Sequence, residues 1–193
     1  MALRRLMGME NAELFAEKIR QLREYLHKRN GRQLKLYADE CSQLALVQGE
    51  PRFIILCSIA YSFAKFYEKA YISASPELER LSGQIQFDLA KANELLLSND
   101  EPGFDSTLSQ SEAAAKDLSA SLGRHIVNVV SKARIKTAAN VYAHGASLGT
   151  AARLCGVGKD ELSEYIGHTT MSEKYRTMSV GERMQKVYAA LGR

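Results

Sequence analysis

An all-α fold is what this sequence predicts, and three observations predict it. Of 193 residues, 46% are hydrophobic and 25% charged, the balance of a chain with a core to bury. Only 3 Pro and 13 Gly interrupt a composition rich in Ala, Leu, Glu, Lys, Arg and Gln, residues that lose little rotamer freedom in a helix. Between turn signals the apolar residues recur at three- and four-residue intervals, the period of a helix with one buried face, so no β-sheet is expected.

The first helix is expected from Asn11 to Arg29, because Leu14, Phe15, Ile19, Leu22 and Leu26 fall on one stripe and the Asn30-Gly31 pair stops it. A second carries Leu34, Tyr37, Cys41, Leu44 and Ala45 inward and ends near Gly49. Pro51 then stands where a first turn tolerates it, its missing N–H being one that would lack a partner anyway. From Phe53 to Tyr71 the chain is apolar nearly all round, which marks a helix surrounded by others. Ser75 before Pro76 is a cap followed by a first-turn proline, opening a long helix with Leu78, Leu81, Ile85, Leu89, Ala92 and Leu96 inward. The stretch SNDEPGF, residues 98 to 104, reads as the clearest loop, and Ser109 with Glu112 as a capping box opening an Ala-rich helix toward Gly123. Residues 124 to 143 make a further helix leading into the C-terminal region.

Charge divides the chain. Residues 1 to 35 hold 9 basic and 4 acidic side chains, residues 36 to 123 hold 6 and 13, and residues 124 to 193 hold 11 and 5, within a formal net charge of +4. A basic last third beside an acidic middle suits a nucleic-acid module attached to a separate bundle, so the expected domains are an antiparallel helical bundle over 1–123 and a second module over 124–193.

Several function classes are not expected. Residues 1 to 15 lack the long apolar core and small-residue cleavage site of a secretory leader, and FIILCSIAYSFAKFY falls short of the roughly 20 apolar residues a bilayer span needs. A cytoplasmic protein with no membrane partner is the expectation. Cys41, Cys57 and Cys155 are odd in number and lie among apolar neighbours, which suits reduced buried thiols. His27, His125, His144 and His168 have no partner four residues away, so no metal site is expected, and no glycine-rich loop follows a strand to hold a nucleotide cofactor.

Residues 147 to 170, SLGTAARLCGVGKDELSEYIGHTT, carry the motif that bears on function. Two short helices crossing through a tight turn need a small residue where they nearly touch and a glycine where the chain turns with positive φ. Ala152 and Gly156 have that spacing, Val157 follows as a core plug, and Leu162 with Ile166 gives a second helix, about Lys159 to Ile166, its buried stripe. Over these residues the chain resembles the helix-turn-helix superfamily, which implies that the second helix would lie in the major groove with its first turn nearest the bases. That helix, however, exposes Asp160, Glu161 and Glu164, three carboxylates facing phosphate. If nucleic acid binds, DNA or RNA, it should be through phosphate contacts from Lys132, Lys136, Arg153, Lys174 and Arg176.

The stretch from Ala143 to Ser179 is also similar to the C-terminal part of the tyrosine recombinases, in which a helical run leads to a Gly-His pair and then a nucleophilic tyrosine. That resemblance would make His168 the second histidine and Tyr175 the nucleophile. His144 is followed by Gly-Ala-Ser, so the arginine of the HxxR pattern, which would stabilise the charged transition state, is missing, and strand cleavage is not expected. Two functions follow: a non-enzymatic nucleic-acid-binding helix-turn-helix protein with a regulatory role, or a helical-bundle interaction or scaffold protein that binds no nucleic acid. Homo-oligomers are compatible with either.

Overall fold

Buried residues lie all round the segment from Phe53 to Phe66, Phe53, Ile54, Leu56, Cys57, Ser58, Ile59 and Ser62 among them, so it must lie at the centre. In the computed structural model, which describes residues 2–121 and 129–168, this segment is the helix α3 (Arg52–Tyr67). Around it stand α1 (Ala2–His27), α2 (Gly31–Gln48), the short α4 (Ala70–Ser73), α5 (Pro76–Leu97), α6 (Glu101–Ser121) and α7 (Val129–Ala143), followed by α8 (Leu148–Cys155) and α9 (Lys159–Gly167). Every element among the described residues is helical, and none is long and apolar enough to cross a membrane.

The helix ends follow local chemistry. Asn30 stops α1 and also starts α2, its Oδ1 accepting the Gln33 N–H at 3.1 Å, while the positive φ of that turn falls on Arg29 at 49°. Gly49, at φ 63°, closes α2 and sends its N–H to the Ala45 carbonyl. Ser75 caps α5 through the Leu78 N–H at 3.2 Å, with Pro76 in the first turn as its sequence spacing predicts.

Three expectations are corrected. The first helix, expected from Asn11 to Arg29, runs from Ala2 to His27. The helix expected from Phe53 to Tyr71 ends at Tyr67, and residues 70–73 form their own short turn of helix. SNDEPGF is a loop only as far as Asp100: Asp100 Oδ1 accepts the Gly103 N–H at 3.0 Å, and α6 starts with Pro102 inside its first turn, where a proline costs nothing. Ser109 and Glu112 therefore lie within α6 and not at its start.

Packing joins these elements into one buried cluster running from Phe15 to Leu162. Phe15 stacks on Phe53 at 4.0 Å between centroids and meets Phe104 edge-on at 5.8 Å, which ties α1, α3 and α6 together. Helix α7 packs against α2, α3 and α6, and α8 and α9 pack in turn against α7. Ala151, Cys155 and Leu162 are fully buried in the same cluster, and burying a leucine side chain such as Leu162 contributes about 2 kcal/mol.

Candidate nucleic-acid interface

The candidate interface is built on α7, which is fixed on three sides by polar contacts that its sequence does not advertise. Thr137 donates back to the Ala133 carbonyl at 2.8 Å and meets the Cys57 thiol of α3 at 2.9 Å. Asn140 Nδ2 donates to Asp39 Oδ1 of α2 at 2.9 Å. Arg134 holds Glu112 of α6 with both arms of its fork, Nε to Oε1 at 2.9 Å and Nη2 to Oε2, and its Nη1 donates to the Cys155 carbonyl at 3.1 Å. Ser58 of α3 donates to the same Glu112 Oε1 at 2.5 Å. One half-buried ion pair thus connects α3, α6, α7 and the last carbonyl of α8, and the bonds to Glu112 raise the pKa of the Arg134 guanidinium further.

Beyond Cys155 the chain turns at Gly156, whose φ of 63° lies in the left-handed region. Its N–H closes α8 on the Ala152 and Arg153 carbonyls, and a Cβ there would come within 2.9 Å of Arg134 Nη1. Ser147 caps α8 by accepting the Thr150 N–H at 3.1 Å. α9 then buries Leu162 and half-buries Tyr165 and Ile166, leaving Asp160, Glu161 and Glu164 exposed. Asp160 and Glu161 sit in its first turn, where the helix dipole favours negative charge. The acidic outer face expected from the sequence is present.

The predicted phosphate contacts are distributed as follows. Lys132 is exposed on α7 and Arg153 exposed on α8. Arg153 borders an open groove of about 450 Å³ with Glu50, Arg52, Asp105, Arg134 and Gly156. In that groove Arg52 is held by Asp105 at 2.6 and 3.1 Å and Arg134 by Glu112, whereas the Arg153 guanidinium has no carboxylate or acceptor among the described residues. Lys136 is partly buried, its Nζ 4.5 Å from the centroid of the Tyr61 ring, and burial lowers its pKa. Two residues along a helix is a turn of about 200°, so Lys132 and Lys136, one turn apart, both face the side of α7 opposite Arg134, and neither shares the Arg153 groove. Lys174 and Arg176 lie outside the described residues, as does Tyr175. His168 is exposed at the end of α9, and His144 Nδ1 bonds the Asn140 carbonyl at 2.7 Å.

Sequence reasoning missed Arg134 and Glu112, the pair that holds the site in place. Glu112 was expected to cap a helix, and the available signal was that it lies beside Ser111 and Ala115 on the buried stripe of α6, where a carboxylate needs a cation. The three thiols are buried, and burial pushes Cys41 and Cys155 up to about 12 and Cys57 further. No group of acidic, histidine and cysteine side chains able to hold a metal occurs among the described residues. Compared with known proteins, the chain matches no family model, no curated protein and no solved structure.

Proposed function

We propose that this chain is a non-enzymatic nucleic-acid-binding protein with a regulatory role, in which α8 and α9 act as a helix-turn-helix pair that contacts the phosphate backbone and reads no bases. The observation that carries the reading is the contrast between the neutralised arginines of the groove and the exposed cations of α7 and α8. Arg52 and Arg134 are neutralised by Asp105 and Glu112, while Lys132 and Arg153 are exposed and have no ion-pair partner among the described residues. Unpaired surface cations release counterions when they meet phosphate, which is where backbone affinity comes from. Lys136, Lys174 and Arg176 complete the proposed set. Asp160, Glu161 and Glu164 keep the outer face of α9 from approaching the groove, so binding is weak and indifferent to base sequence.

The same acidic face favours a second reading, an interaction or scaffold protein whose partner presents a basic surface to α9. The triple variant Asp160→Asn, Glu161→Gln, Glu164→Gln separates the two. Under the first reading its affinity for random duplex DNA or single-stranded RNA is unchanged or tighter than that of the parent. Loss of binding on neutralising these carboxylates would mean that they accept hydrogen bonds from bases, and absence of binding at low salt by either protein leaves the protein-partner reading.

A further inference from the structure

The groove beside Arg153 does not end at the turn between α8 and α9. Its volume of about 450 Å³ meets a second one of about 400 Å³, and the two share Ser109, Arg134 and Gly156 in their walls. Most of the charge along them is spent. Asp105 accepts from Arg52 Nε and Nη2 at 2.6 and 3.1 Å, Glu50 faces Arg52 Nη1 at 3.5 Å, and Glu112 accepts from Arg134 Nε and Nη2. Arg153 of α8 in the first groove and Lys116 of α6 in the second are different. Both are exposed, and neither has a carboxylate partner among the described residues.

We propose that this groove is a binding site for a small organic phosphate, which sets its phosphate on Arg153 and an apolar body against Ile55 and Leu154. Donors outnumber free acceptors along the groove. Arg134 spends three of its five N–H groups, two on Glu112 and one on the Cys155 carbonyl, while Glu50, Asp105 and Glu112 are all turned to Arg52 or Arg134. A ligand that satisfies the groove must therefore bring acceptors. The lining cations Arg52, Arg134, Arg153 and Lys116 also outnumber those three carboxylates by one, which favours an anion. The guanidinium fork of Arg153 and the hydroxyl of Ser109 in the same wall suit the several oxygens of a phosphate.

Size and the apolar wall decide against a bare ion. The first groove lies within the roughly 300–1,000 Å³ typical of small-molecule sites, far more than a phosphate ion fills. Ile54 and Ile55 near the start of α3 and Leu154 of α8 line it, and Ile55 and Leu154 are half-buried, so both still offer apolar surface. Removing about 60 Å² of apolar ligand surface from water there corresponds to about tenfold in affinity. An occupant would take Arg153 away from the proposed nucleic-acid contacts. The site itself does not depend on that reading.

The test is isothermal titration calorimetry of the full chain at low salt with 1-naphthyl phosphate, inorganic phosphate and 1-naphthol. The probes carry no base or sugar, so the outcome is separate from that of the nucleic-acid titrations. 1-Naphthyl phosphate should bind at least about tenfold more tightly than either inorganic phosphate or 1-naphthol. Arg153→Gln should weaken it by about tenfold or more, and Ile55→Gln should bring it close to inorganic phosphate. Lys132→Ala, on the far side of α7, should leave it unchanged. No binding at millimolar concentration, an affinity equal to that of inorganic phosphate or 1-naphthol, or an Arg153→Gln variant that binds like the parent overturns the proposal. A loss in Lys132→Ala as large as in Arg153→Gln overturns it as well, since attraction to surface charge in general would then account for the binding.

Discussion

Replacing either partner of the Arg134–Glu112 pair should loosen α8 and α7 together, because the same guanidinium holds a carboxylate on α6 and the last carbonyl of α8. Arg134→Met removes two bonds to Glu112 and one to Cys155, and leaves Glu112 with its Ser58 donor alone among the described residues. Breaking a fully buried pair costs about 3–5 kcal/mol. Here the side chains are 29% and 13% exposed, so water screens part of the charge, and about 2–3 kcal/mol is expected. In a chain of 193 residues this is a fall in melting temperature of about 4–12 °C. Glu112→Gln keeps an acceptor for Ser58 but removes the charge opposite Arg134, and should cost about 2 kcal/mol. The assay is urea unfolding of both single variants and the double variant. If the pair is a single clamp, the double variant loses less than the sum of the singles by at least about 1 kcal/mol, and the coupling survives moderate salt. Costs that add to within about 0.5 kcal/mol would refute it.

Other predictions follow from single groups. Gly156→Ala places a Cβ at positive φ and within 2.9 Å of Arg134 Nη1, and should cost about 1–2 kcal/mol in thermal unfolding, less in an Arg134→Met background where that contact is gone. The thiols of Cys41, Cys57 and Cys155 are buried and shifted upward, so a disulfide reagent at pH 8 should titrate none of them in the folded protein and all 3 in denaturant; rapid native labelling would contradict their burial. Glu68 is held below the usual carboxylate range by hydrogen bonds from Lys35 and Lys65. A carboxylate with a depressed folded pKa stabilises above its unfolded pKa, and that contribution is lost as pH falls through the folded value. Its side chain is 37% exposed, so Glu68→Gln should cost only a few tenths of a kcal/mol at pH 7, with the difference from the parent fading as pH drops below about 4.

What the sequence made legible was whatever is local. Stripes such as Leu14, Ile19, Leu22 and Leu26, the Ser75-Pro76 cap and the glycine at 156 each act within about one or two turns, and each is visible in the linear order. The exposure of Asp160, Glu161 and Glu164 was legible for the same reason, since burying Leu162 fixes which face of α9 turns outward. Pairings over distance were not. Glu112 and Arg134 are 22 residues apart, Asp39 and Asn140 are 101 apart, and Lys136 meets Tyr61 across two helices. Periodicity marks which face is buried but carries no information about which charge on one helix will meet which on another. The misplaced start of α6 has a different cause: Asn, Asp, Pro and Gly are loop formers and also cap and first-turn residues, and Asp100 and Pro102 serve in the second capacity.

The most direct test of the proposed function is the salt dependence of binding to a random duplex, measured by fluorescence anisotropy between about 50 and 200 mM salt, for the parent chain and for Lys132→Ala with Arg153→Ala. If these cations meet phosphate, log affinity falls steeply with log salt for the parent, and the double variant binds more weakly with a slope smaller by about two, one for each lost contact. A parent chain that does not bind at the lowest salt, or a double variant with an unchanged slope, contradicts the account.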